Sequence, residues 1–342
     1  MQQGILIGSA AGIASAVMVA SATFGVAGGR MDARFFLYFL APLPGFLAGL
    51  GWGPASAVAA VMASCLGVGL LRGFNTGLAI LVSQGIPVIA ICYLAQLNRT
   101  VSARSGLPMT GRSTAPERSP PEMSQTIEWY PLGRLVAICV VLAGTIAFLS
   151  VLLFGLDIDS IRALIRKLVE TVFVQQIPGL KDRRVEEPEL QALTEITLYA
   201  FPATMALTWL GTFLLNLYLA GRLTLASGRL PRPWPELSAI HYPTGFGLGL
   251  AVALTLAVVL DGFPALLASG FAGAMLLGYL LLGLAILHDV SRGRPARTPM
   301  LLGIYIGLFV LNPWAGLLVA LLGLLEPLLP FRRSRREQSP PN

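Results

Sequence analysis

The sequence predicts an all-α bundle that crosses a bilayer about ten times, with one further amphipathic helix lying on its surface. Three observations carry that expectation. Of 342 residues 55% are hydrophobic and only 12% charged, and the mean hydropathy is +0.73, against roughly 25% charged residues in a soluble domain. Uncharged stretches of about 20 residues, the length that crosses a hydrocarbon core of about 30 Å, recur along the chain. The arginines gather between those stretches. Unbroken apolar runs of this kind are not the short alternating strands of a closed barrel.

Read by their interruptions, the apolar runs cover residues 4–27, 35–51, 54–71, 76–97, 135–156, 196–220, 244–260 and 263–287. A last run, 299–331, is too long for one helix at about 1.5 Å per residue. Asn312-Pro313 is its natural break, giving two short helices or a re-entrant pair. Ten membrane segments result, or nine if this run is a single broken helix. Ala20-Ser21-Ala22 has the small residues of a leader cleavage site, but no basic residue precedes the first run and it continues past Ala22, so a retained first helix is expected. Cys65, Cys92 and Cys139 all fall inside runs, without CxxC or metal spacing, and read as small packing residues.

Placing both termini in the cytoplasm of a bacterial inner membrane puts fifteen of the 24 Lys and Arg on the inner side, as the positive-inside bias requires. Arg30, Arg34 and Arg72 dissent. The chain then divides into a four-span region, 1–97, a Pro- and Ser-rich cytoplasmic linker, 98–131, a C-terminal membrane region, 132–331, and a basic cytoplasmic tail, 332–342. The linker composition reads as flexible. Within the outer segment 157–195, Ile161, Leu164, Ile165, Leu168, Val172 and Phe173 recur at helical spacing. They describe an interfacial helix ended near Pro178, with Asp157 and Asp159 as its cap. It is a passive surface helix or a lid.

Polar residues inside the runs are the functional candidates. Glu326 closes a charge-free run from Thr298 to Leu325, and an acid at this depth prefers an internal partner. His288, Asp289 and Arg292 end the preceding span on the same side, and Arg332 and Arg333 follow closely. A structural salt bridge, a proton-coupling or ligand role, and simple interfacial exposure are the open readings. At half depth, Gln84, Thr208 and Asn216 are neutral hydrogen-bonding groups, suited to a pocket for an uncharged or amphipathic small molecule or to helix-to-helix bonding. Pro87 and Pro202 are expected to kink their helices beside Gln84 and Thr204. Gly4, Gly8, Gly12, Ala16 and Ala20 form a small-residue face on which another backbone can approach closely. That neighbour is a helix of the same bundle or a partner subunit. Two further rows, Gly45 to Ala57 and Gly270 to Gly278, read the same way.

Enzyme signatures are missing. Two histidines exclude a multi-histidine metal site within one chain, and no HExxH, P-loop or dinucleotide fingerprint stands in a fitting context. No catalytic residue, cofactor, metal or nucleic-acid partner is implied, and the chain is expected not to be an enzyme.

The tail GLAILHDVSRGRPARTPMLLGIYIGLFVLNPWAGLLVALLGLLEPLLPFRR resembles the C-terminal signature of the YybS-like predicted membrane proteins, a domain-of-unknown-function family. A span ends in His, a basic hairpin follows, and a final helix closes on Gly-Leu-acid, where the family's usual Asp is Glu326. That resemblance implies a multi-span protein of similar length. FFLYFLAPLPGFLAGLGWGPASAVAAVMASCLGVGLL is similar to the S components of energy-coupling-factor vitamin transporters. There a small-residue stripe on the first helix docks the coupling subunit, to which Gly4 to Ala20 would correspond. The resemblance implies a small-molecule transport subunit that works with membrane partners and ATPases. The rival is a scaffold whose glycine faces and basic loops recruit other proteins or anionic lipid.

Overall fold

The computed structural model describes residues 2–24, 31–103, 124–153, 155, 157–174, 186–237, 240–311 and 313–328. The linker interior, Pro178, Arg332, Arg333 and the 332–342 tail lie outside the described residues. Among the described residues six helical segments are long and apolar enough to cross a membrane. They are α1 (Gln2–Phe24), α4 (Pro54–Arg72), the continuous stretch α5 (Phe74–Ile80) to α6 (Ile86–Gln96), α7 (Leu132–Leu153), α9 (Glu187–Ala226) and α11 (Gly262–Ser291). Four shorter apolar segments accompany them: α2 (Met31–Leu40) with α3 (Leu43–Trp52), α10 (Phe246–Val259), α12 (Arg297–Val310) and α13 (Trp314–Leu325). The long final run is thus divided at 311–313, as its Pro313 demands.

Sharp reversals need backbone that only glycine adopts readily. Gly53 (φ 99°) stands between α3 and α4, followed by Pro54 at the first helical position, and Gly73 (φ 97°) separates α4 from α5. These are the glycine stop and proline start expected of helix ends.

Inside lipid, water exclusion does not drive helices together, so close backbone approach has to. A Cβ on Gly8 would fall 2.3 Å from Ser56 O, and one on Gly12 2.2 Å from Ala60 O. α1 therefore lies directly on α4, and Ala16 continues the seam against Gly67. The small-residue row that the sequence left to a helix of the same bundle or to a partner subunit is occupied by the chain's own α4, because both helices carry small residues at matching heights. In the C-terminal region, Gly144 lies under Phe271, Gly273 under Ala203, and Gly283 under Val319 O, where a Cβ would come within 1.9 Å. The two regions meet in one buried cluster that joins Phe46, Ile91 and Cys92 to Leu135, Cys139 and Phe213.

The interfacial helix forms as α8 (Ile158–Leu168), continued by a π-helical turn, Val169–Val174. Asp157 caps it, accepting from Asp159 N and Ser160 N. Ser160 Oγ, with those two amides, holds the Asp157 carboxyl below its ordinary range. Of the expected stripe Ile161 and Ile165 are buried, with Val169, against Val151, Leu198 and Leu266. Leu164, Leu168 and Val172 are exposed. Arg162 pairs with Glu195 at 2.5 Å and with Asp159, and Arg166 with Glu187 at 2.8 Å, tying α8 to the start of α9.

One element departs from an all-helical expectation. Strands β1 (Asn98–Ala103) and β2 (Ser124–Trp129) pair antiparallel, Asn98 opposite Trp129 and Ala103 opposite Ser124, with Arg99 bonded to Glu128 at 2.7 Å. The ends of the segment read as a flexible linker are a hairpin. Thr100, Val101, Thr126 and Ile127 supply the β-branched residues that favour it.

Candidate functional site

Two of the membrane segments are interrupted near half their length, and both interruptions trace to proline. Pro42 and Pro44 have no N–H to donate to Tyr38 O and Leu40 O, so the helix stops at Leu40 and restarts at Leu43. Ala41 N turns back to Tyr38 O at 3.2 Å. Two carbonyls of the break are satisfied from elsewhere in the chain: Asn216 Nδ2 donates to Phe39 O at 2.7 Å and Ser15 Oγ donates to Ala41 O. In the second segment Pro87 leaves Ser83 O without its helical donor. The helix widens there into a π turn, Leu81–Gly85, and Trp209 Nε1 donates to Ser83 O at 2.9 Å. Non-helical backbone at membrane depth survives where protein groups satisfy it or where it lines a cavity, and π turns recur at functional sites.

Between the two breaks lies a cavity of about 20 Å³, lined by Ser15, Pro42, Ser64, Cys65, Gln84 and Val88 among others. That is room for a single water. Its polar groups are neutral. Gln84 is paired with the Tyr38 hydroxyl. Ser64, 5% exposed, makes no side-chain hydrogen bond among the described residues, so its hydroxyl is available to whatever occupies the space. Nearby on α9, Asn216 is fully buried, and its Oδ1 has no hydrogen-bond partner among the described residues.

The expected trio therefore separates. Gln84 faces the cavity, and Asn216 braces the break beside it without lining the cavity. Thr208 is exposed on α9, where its carbonyl accepts from Thr212 Oγ1 at 2.7 Å, and it joins neither. Beside Gln84, where a kink is expected at Pro87, the helix forms a π turn. At Pro202 α9 continues without interruption; Pro202 is buried against Gly270, and Thr204 is exposed. Ser15, Tyr38, Ser64 and Trp209 were not singled out by sequence. The signal that finds Trp209 is the Ser83 carbonyl left without a donor by Pro87, whereas Ser15 and Asn216 bond carbonyls beside the other break.

At the other candidate site, His288 Nδ1 lies 2.9 Å from Leu284 O, and its Nε2 lies 3.5 Å from the Tyr305 hydroxyl on α12. Asp289 and Arg292 follow at the end of α11, where Arg292 N donates to Asp289 O at 3.1 Å. Glu326 is the half-buried C-cap of α13, its N–H directed to Gly323 O at 3.4 Å. Its sequence neighbours Arg332 and Arg333 are outside the described residues.

The fold defines a polytopic helical membrane protein. Residues 118–326 match the family described as predicted membrane protein (DUF2232), and the chain belongs to that family. The matched stretch contains α7 to α13 and leaves α1 to α6, with the cavity, outside it. No curated protein and no solved structure matches the chain.

Proposed function

We propose that the chain is a non-catalytic subunit for small-molecule transport in a bacterial inner membrane. It has ten membrane segments and both termini in the cytoplasm, and it works with partner membrane subunits and ATPases. The observation that carries this reading is the small cavity, mainly apolar with a few neutral polar groups, set between a proline-broken helix and a π turn. Discontinuous helices at half depth are how membrane carriers present backbone and side-chain groups to a substrate. Ser64, Gln84 and Cys65 suit an uncharged or amphipathic molecule rather than an ion, and the cavity as it stands corresponds to a closed state.

A second reading, a non-catalytic scaffold, is favoured by the seal around that cavity. Gln84 and Asn216 both bond to the neighbouring broken helix, and the buried face of α8 is filled by side chains of α7, α9 and α11. Quantitative mass spectrometry of proteins recovered with the tagged chain from native membranes in mild detergent separates the two. Stoichiometric recovery of an ATPase pair and a coupling membrane subunit is the result expected for transport. Recovery of cell-envelope or biosynthetic proteins without any ATPase would replace it with the scaffold.

A further inference from the structure

The end of the bundle where α9 stops carries two guanidinium groups with no carboxylate opposite them among the described residues. Arg222 lies over the indole of Trp234 at 5.2 Å, and Arg229, just past the helix, over that of Trp52 at 4.7 Å. Both arginines are exposed, and among the described residues neither forms an ion pair. Both tryptophans are borne by segments that pack on the last turns of α9. Trp234 packs on Gly221, while Gly51, adjacent to Trp52, packs on Thr224, one turn further along α9. Arg232 is used differently: it is partly buried and donates to Tyr130 O at 3.0 Å and Ala95 O at 3.4 Å, which pins the loop bearing Trp234.

A guanidinium laid on an aromatic face is held by cation–π attraction. Its in-plane N–H groups stay free, and their fork matches the oxygens of a phosphate. Indoles at helix ends sit at headgroup depth in a bilayer. Proximity to a helix C-terminus accounts for a preference for positive charge there, but not for two arginines each fixed on its own tryptophan. We propose that Arg222, Arg229, Trp52 and Trp234 form a binding site for the phosphate of an anionic phospholipid headgroup. A zwitterionic headgroup brings a cation of its own, which the two guanidinium groups repel.

The test uses the full-length protein in detergent, titrated with phosphatidylglycerol or phosphatidylcholine and read by native mass spectrometry. Two surface arginines correspond to a preference of about thirtyfold for the anionic lipid. Arg222→Gln with Arg229→Gln should reduce it to within about threefold. The paired Lys substitutions should keep most of it, and Arg134→Gln, an exposed arginine outside the cluster, should leave it unchanged. An undiminished preference in the double Gln variant overturns the proposal, as does displacement of the lipid by millimolar inorganic phosphate. Should that variant not fold, quenching of wild-type tryptophan fluorescence by brominated lipids decides. Stronger quenching by the anionic lipid, lost in Trp52→Phe with Trp234→Phe, supports the site, and equal quenching by both lipids rejects it.

Discussion

The N-terminal region, α1 to α6, and the C-terminal region, α7 to α13, handle the same solvent in opposite ways. In the C-terminal region α7, α9 and α11 run unbroken for 22, 40 and 30 residues and lock together where glycines admit a neighbouring backbone. In the N-terminal region proline breaks a pair of segments, and the carbonyls exposed at the breaks need donors that lipid cannot supply. Trp209 and Asn216 on α9 supply two of them. A continuous helix from one region thus braces the discontinuities of the other, and the cavity beside them has a mainly apolar lining with a few neutral polar groups. Irregular backbone is tolerated where a rigid neighbour completes its hydrogen bonds, and that is also where a ligand can be met.

The largest effect belongs to the glycine contacts. Gly283→Leu drives a side chain into Val319 O and should destabilise the protein by about 3 kcal/mol, the upper end for overpacking, measured by denaturant titration in detergent. Gly303→Leu, at a position with nothing within 4 Å, should change almost nothing. Equal effects would remove the distinction between packed and open helix faces.

Next comes the brace. Asn216→Leu leaves Phe39 O without its donor and should cost about 1–2 kcal/mol in the same titration. Trp209→Phe orphans Ser83 O and should cost about 1 kcal/mol. In a Pro87→Ala background, where a backbone N–H is restored to bond Ser83 O, the cost of Trp209→Phe should fall nearly to zero, a coupling read by the double-mutant cycle. Additive costs would mean that the indole does not repair the proline break.

The smallest effects lie at the surface of α8. Glu195→Gln removes one partly exposed ion pair with Arg162 and should change stability by about 1 kcal/mol or less, less still in high salt. The Asp157 cap has a pH signature. Its folded pKa is lowered, so its contribution is present above the unfolded value of about 3.9 and is lost as pH falls through the lowered folded value. Hydrogen exchange of the first α8 amides should therefore be faster in Asp157→Ala than in wild type at pH 6, with the difference shrinking as the pH falls below about 4.

Membrane class and most helix positions were legible because each depends on a local run of apolar residues. The break at Pro313 and the Asp157 cap followed from local chemistry as well, whereas near Pro87 a kink was expected and a π turn is found. What the sequence hid is pairing at a distance. Trp209 reaches Ser83, 126 residues away, and Asn216 reaches Phe39, 177 residues away, and no periodicity encodes such a pair. The Gly4 to Ala20 row was readable as a docking face, but its occupant, α4, follows only from matching two small-residue rows in space. Thr208 shares a helix with Asn216 and points elsewhere, a difference of angle that hydropathy does not register. The hairpin was hidden by its setting, since Arg, Ser and Pro dominate the composition between two six-residue strands.

The central claim is that the cavity between the broken helices, which in its closed form has room for one water, opens to hold a small molecule. Its most direct test is extraction and mass analysis of small molecules retained by the purified full-length protein, wild type beside Gln84→Leu, with both variants first shown to have the same helical content and melting behaviour. A compound recovered at close to one per chain from wild type and lost from Gln84→Leu is the predicted result. No retained compound in either, or equal retention in both, would contradict the account.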